Sequence, residues 1–145
     1  KYEIGAMLKL GIRGSIVNTG SIAGLVGTQR NTGYAPTKWA LMGLTKCAAL
    51  DYARDGIRVN AIAPGPTRTE LFDKGFDTEE SRARAAAAFP MNYIAHADDM
   101  ARAALFLLSE DARWTTGAII PCEGGMSAGP VLDIGALINN PEAHR

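Results

Sequence analysis

The run "YAPTKWALMGLTKCAALDYARD", residues 34–55, places apolar residues at helical spacing and is followed at once by Gly56. Glycine commonly closes a helix because it enters the left-handed region without a Cβ clash. Pro36 suits the first turn, where no amide donor is needed. This long helix lies between two short apolar runs, "SIVNT" and "IRVNAIA". Strand, helix, strand predicts an α/β fold with parallel strands covered by helices.

The remaining segments extend the alternation. Residues 1–10 read as the end of a helix, with Ile4, Met7 and Leu8 at helical spacing and Gly11 and Gly14 closing it. The chain is expected to enter in mid-helix. "PGPTRTE" reads as an abrupt turn, "LFDKGFDTEE" as a mobile segment, and residues 79–88 as a helix. "HADDMARAALFLLSEDA" predicts another helix, with Asp98 or Ala97 near its start and Leu105, Phe106, Leu107 and Leu108 supplying apolar surface. "GAIIPCEGG" reads as a last short strand, and the tail 128–145 carries no assignment. About three strands are fewer than the five or six of a doubly wound sheet, which predicts the later part of a larger α/β domain.

Composition narrows the function classes. A chain of 145 residues with 47% hydrophobic residues buries one ordinary core. Fifteen basic residues balance fifteen acidic ones without long blocks of either sign, so neither nucleic acid nor an anionic membrane is an expected partner. No apolar run approaches the roughly 20 residues of a membrane span, and no signal peptide is evident. The expectation is a soluble, cytoplasmic protein. Cys47 and Cys122 match no metal or redox spacing and are expected to be ordinary thiols, while His96 and His144 have no neighbouring ligand set. No metal site is expected.

Tyr34 and Lys38 lie four residues apart at the start of the long helix, so they share a face and can act on one bound molecule. A phenol is a poor acid or base at neutral pH, and a nearby ammonium improves it by favouring the phenolate. Taken alone, Y-x-x-x-K also describes a bland surface pair. Ser21 lies thirteen residues before Tyr34, at the carboxyl end of a predicted strand, where α/β sheets place ligands. Its stretch "NTGSIAGLVG" carries glycines at 20, 24 and 27 and nearly imitates a phosphate-cradling loop. A serine hydrolase is disfavoured, because the nucleophile elbow needs G-x-S-x-G and the flanking residues here are Thr19 and Ala23.

Ser21, Tyr34 and Lys38 together resemble the constellation of the short-chain dehydrogenase/reductase family. "GSIVNTGSIAG", "GYAPTKWALMGLTKCAALDYARDGIRVNAIAPGPTRTEL" and "ADDMARAALFLLSEDARWTTGAIIPCEGG" each resemble successive family segments in family order, covering most of residues 1–127. The resemblance implies a Rossmann-like doubly wound parallel sheet, incomplete here, with about three strands and flanking helices and the N-terminal half missing. It also implies hydride transfer between NAD or NADP and a secondary alcohol or ketone. Tyr34 would be the acid or base, Ser21 would hold the carbonyl oxygen, and Lys38 would assist Tyr34 and bind the nicotinamide ribose. Pro64 and Gly65 resemble the turn beneath the nicotinamide, Thr69 the residue that bonds its carboxamide, and Thr67 lies close by.

The family's T-G-x-x-x-G-x-G fingerprint and N-A-G segment have no matching positions, and its relay Asn falls upstream of Lys1. Gly20 stands where members often carry a second Ser, and Glu123 replaces an Asp in "PCEGG". The glycine-rich stretch therefore reads as the mount for Ser21 rather than a cradle: no helix follows it directly, and "IRVNAIA" ends without an acidic residue for a ribose. Residues 70–92 match the family's substrate lid, whose Phe72, Phe76, Phe89 and Met91 suit a partly apolar substrate. Trp39, Leu41, Leu44 and Tyr52 suit core or subunit contacts, and relatives imply a homodimer or homotetramer through the 34–55 helix. The contrasting reading is a non-catalytic fragment of such a protein, acting only through helix-mediated association.

Overall fold

The computed structural model describes residues 1–129, the Leu71 side chain excepted. The tail assigned from residue 128 therefore lies outside the described residues beyond Gly129. Helix α1 (Tyr2–Leu10) ends at Gly11, whose φ of 64° is left-handed, and leads into β1 (Ser15–Thr19). Helix α2 (Ala35–Tyr52) continues through a 3-10 turn (Ala53–Asp55) to Gly56, also left-handed, and then β2 (Arg58–Pro64). Helices α3 (Glu70–Gly75), α4 (Glu79–Ala87) and α5 (Ala97–Leu108) precede β3 (Ile119–Cys122).

The sheet is parallel throughout, in the order β1-β2-β3, with Ile16 opposite Val59 and Ile62 opposite Ile120. This is the expected α/β, Rossmann-like arrangement. Side chains of a strand alternate between faces, and β2 is buried on both. Ala61 and Ala63 pack on Met42 of α2, while Val59 joins Ala49, Ile57 and the α1 residues Ile4 and Met7. On the opposite face, Ile62 packs against Leu107 of α5 and Ala112.

Several sequence expectations are corrected. β1 is half-buried rather than buried, because β2 is its one strand neighbour among the described residues. The run taken as mobile contains α3, started by Thr69, whose hydroxyl accepts from Phe72 N at 3.2 Å. Of the four apolar residues expected to cover the core from α5, only Leu107 is buried, since a helix turns its neighbours by about 100° per residue. Helix α5 starts at Ala97, one of the two residues expected near its start, and is capped by His96, whose amide donates to Asp99 Oδ2 at 2.8 Å.

Two buried polar groups lock the layers together. Asn60 is fully buried on the α5 side of β2; its amide donates to Thr115 O at 2.9 Å and its carbonyl accepts from Ala118 N at 3.0 Å. On the other side, Thr45 of α2 accepts a hydrogen bond from Asn18 Nδ2 at 2.9 Å. Each is satisfied, as buried polar groups must be to avoid a desolvation cost.

Candidate active site

The carboxyl ends of β1 and β2 open onto a cavity of about 510 Å³, within the range of small-ligand sites. Ser21, Tyr34, Lys38, Pro64, Gly65 and Thr67 all line it. Residues 44 positions apart in sequence thus meet because parallel pairing brings the two strand ends side by side.

Ser21 follows β1 directly and caps a 3-10 turn (Ile22–Gly24), its Oγ accepting from Ala23 N at 3.2 Å. That bond orients the oxygen and leaves the hydroxyl proton available. Gly20 N donates to Ile62 O at 2.8 Å, which pins the loop to β2. The glycines of "NTGSIAGLVG" serve this packing. A Cβ on Gly20 would collide with Met42 Cε, and one on Gly24 would stand 2.8 Å from the Lys38 carbonyl oxygen. Gly27 has open space around it. These contacts are with protein, which identifies the first two glycines as spacers between the Ser21 loop and α2.

Tyr34 is the N-cap of α2 and Lys38 sits one turn on. The Lys38 Nζ lies 5.4 Å from the Tyr34 ring centroid and donates to Thr19 O at 3.0 Å. An ammonium has three donors, so two remain after the Thr19 bond. The Tyr34 phenol is 47% exposed on the cavity side, and its hydroxyl meets no hydrogen-bond partner among the described residues. Ser21 and Tyr34 therefore present two O–H donors to one space, with an ammonium beside them.

Pro64 ends β2, and Gly65 lies so close to Glu123 that an added Cβ would stand 2.9 Å from the Glu123 Cα. The Thr67 hydroxyl donates to Gly65 O at 3.1 Å. Thr69 does not line the cavity; its Oγ caps α3 instead. The aromatic residues and Met91 of the 70–92 segment also lie elsewhere. Phe72 and Phe76 stack on one another at 4.6 Å, and Phe89 and Met91 line a separate cavity of about 390 Å³ behind Pro66.

One wall of the site escaped the sequence reading. Ala97, Met100, Ala101 and Ala104 of α5 line the cavity. Their spacing of i, i+3, i+4 and i+7 marks a single helical face, so the signal was present. Its small side chains gave no reason to prefer a ligand over ordinary core. Among the described residues, no group of three or more His, Cys, Asp or Glu side chains could hold a metal ion, and no helix is long and apolar enough to cross a membrane.

The sequence pattern described as "Enoyl-(Acyl carrier protein) reductase" matches residues 3–127. The 2,5-dichloro-2,5-cyclohexadiene-1,4-diol dehydrogenase of Sphingobium indicum is 40% identical over 129 residues, covering 88% of this chain and 52% of that protein. Among solved structures, ElxO with NADP bound is similar with a TM-score of 0.82 at 37% identity, over 88% of this chain and 52% of that one. A 4-hydroxyisoleucine dehydrogenase complexed with NADH gives a TM-score of 0.80 at 32% identity, over 87% and 52%. The chain spans about half the length of the curated relatives it matches.

Proposed function

The chain belongs to the short-chain dehydrogenase/reductase family, and we propose that it carries the catalytic side of an oxidoreductase moving a hydride between NAD or NADP and a secondary alcohol or ketone. The observation that carries this reading is the convergence of Ser21, Tyr34 and Lys38 on one cavity with two free hydroxyl donors and a partly free ammonium. The nicotinamide, when bound, supplies or accepts the hydride. The residues fit its ribose side: Lys38 keeps two N–H donors, and Pro64, Gly65 and Thr67 form an adjacent wall. Thr69 still has its hydroxyl proton to offer a carboxamide oxygen while it caps α3.

In the reducing direction, the Tyr34 hydroxyl gives its proton to the substrate oxygen, and in the oxidising direction the Tyr34 oxygen takes it back. The Ser21 hydroxyl donates to the same oxygen, holding it in place and stabilising the charge that develops there. Lys38 stands beside Tyr34, its Nζ 5.4 Å from the ring centroid, and keeps donors for the ribose. A cyclic secondary alcohol is the first substrate class to try, because the relative from Sphingobium indicum is named for a cyclohexadiene diol. One solved relative holds NADP and another NADH, so both cofactors are candidates.

The 70–92 segment would act as the substrate lid, since α3 and α4 follow directly from the Thr67 wall. The outward face of α2 carries Trp39, Leu44 and Leu50, the last 81% exposed, which supports a homodimer or homotetramer built on this helix. A reducing, cytoplasmic setting suits Cys47 and Cys122, both free thiols.

The test is a survey of cyclic and acyclic secondary alcohols and their ketones with the full-length protein and both cofactors, following reduced-nicotinamide absorbance. Turnover is expected with at least one pair and is expected to collapse in Ser21→Ala. Absence of turnover throughout would overturn the oxidoreductase reading.

A further inference from the structure

At the opposite end of the sheet, below the amino ends of the strands, lies a second cavity of about 640 Å³. Four arginines line it, Arg13, Arg54, Arg58 and Arg113, against the single carboxylate of Glu110. The chain as a whole balances fifteen basic residues with fifteen acidic ones, so this concentration of positive charge is local.

The four guanidiniums divide into two kinds. Arg58 is spent on structure: its Nη1 donates to Leu107 O at 2.7 Å and its Nη2 to Ser109 O at 3.0 Å, neutralising the carbonyl end of α5. Arg13, Arg54 and Arg113 have no carboxylate within 4.0 Å and donate no side-chain hydrogen bond among the described residues. Arg68, Arg82 and Arg84 each meet an acid, whereas Arg30 and Arg102 meet none among the described residues, so what sets the three apart is that they share one cavity.

Arg13 lies across the turn that closes α2. Gly56 takes a left-handed φ of 72°, and an added Cβ there would collide with the Arg13 guanidinium. Trp114, next to Arg113, also lines the cavity and is 98% exposed. An indole left in water beside unpaired guanidiniums is a stacking surface for a planar ring.

We propose that this cavity is a binding site for an oligophosphate, gripped by Arg13, Arg54 and Arg113, with Trp114 placed to stack the base of a nucleotide. Guanidiniums grip phosphate oxygens in pairs, and three of them lining one cavity match a chain of phosphates better than a single carboxylate. The site is remote from Ser21, Tyr34 and Lys38, none of which lines it, so its occupancy stands apart from the oxidoreductase reading.

The test uses full-length protein labelled with 5-fluorotryptophan, following the Trp114 fluorine resonance, assigned by its loss in Trp114→Phe. This resonance reports the local cavity even when a nucleotide also enters another site. ATP, tripolyphosphate and adenosine are titrated separately. A saturable Trp114 shift by ATP is expected, weakened about tenfold or more, or at least 1.4 kcal/mol, in Arg54→Gln/Arg113→Gln. Melting temperature of that variant is expected to match the parent, because neither side chain is bonded to the fold. Tighter binding of ATP than of tripolyphosphate identifies a nucleotide as the ligand; equal binding identifies free oligophosphate. No saturable shift by either up to about 1 mM, an unchanged affinity in the double variant, or an equal shift by adenosine would overturn the proposal.

Discussion

The strand-end cavity and the 70–92 segment adjoin one another yet are held by different forces. Ser21 and Lys38 are braced from behind: Gly20 is bonded to Ile62 O, Asn18 to the buried Thr45, and Lys38 to Thr19 O. The segment that forms α3 and α4 is tied by ion pairs near the surface, half-buried for Arg82 with Asp73 and exposed for Arg84 with Glu80, with Arg68 also meeting Asp73. Exposed pairs contribute only about 0–1 kcal/mol each, whereas packed and buried contacts contribute several times more. The difference teaches that the Ser21 hydroxyl and the Lys38 ammonium are preorganised, while the segment beside them can rearrange at small cost.

The largest effect expected on the braced side is chemical. Tyr34→Phe in the full-length protein is expected to lower turnover by about 10³-fold while leaving the melting curve unchanged, since the hydroxyl bonds to no described group. A variant with near-native turnover would remove Tyr34 from the reaction.

Next is the bracing itself. Gly24→Ala puts a Cβ 2.8 Å from the Lys38 carbonyl oxygen, which cannot rotate away like a side-chain tip. Urea unfolding should show a loss of about 1–3 kcal/mol, and turnover should fall as the Ser21 loop shifts. A neutral result would show that the loop is as yielding as its neighbour.

The counterpart in the weaker region is Asp73→Asn, which removes the acid shared by Arg68 and Arg82. It should cost less than about 1 kcal/mol in the same unfolding measurement, and less still in high salt. A loss as large as that of Gly24→Ala would erase the contrast.

The smallest effect lies at the seam. The His96 amide, and then the Tyr93 hydroxyl, hold the Asp99 carboxyl below its ordinary range. A lowered acid contributes its stability above the unfolded value of about 4 and loses it as pH falls through the lower folded value. Asp99→Asn should therefore melt slightly below the parent at neutral pH, and the two curves should converge in acid. A constant gap across that range would show that the charge contributes nothing.

Much of this is legible in the sequence. The βαβ order around α2, the glycine stops at Gly11 and Gly56, and the grouping of Ser21 with Tyr34 and Lys38 followed from spacing and a family resemblance. The short α3 was missed because six residues carry too little periodicity to outweigh the polar composition around them. The exposure of Leu105, Phe106 and Leu108 was missed because a continuous apolar run does not say which face of a helix turns inward.

The sequence alone determined the strands and longer helices and their order, because helix stops and apolar periodicity act over a few neighbouring residues. The tertiary structure decided what each group is for. It made Gly20 and Gly24 spacers against α2, engaged Thr69 as a helix cap, brought Met100 into the wall of the cavity, and separated Arg58 from three unpaired arginines. Those outcomes depend on distances between side chains far apart in the chain, and such distances exist only once the sheet has paired and the helices have packed on it.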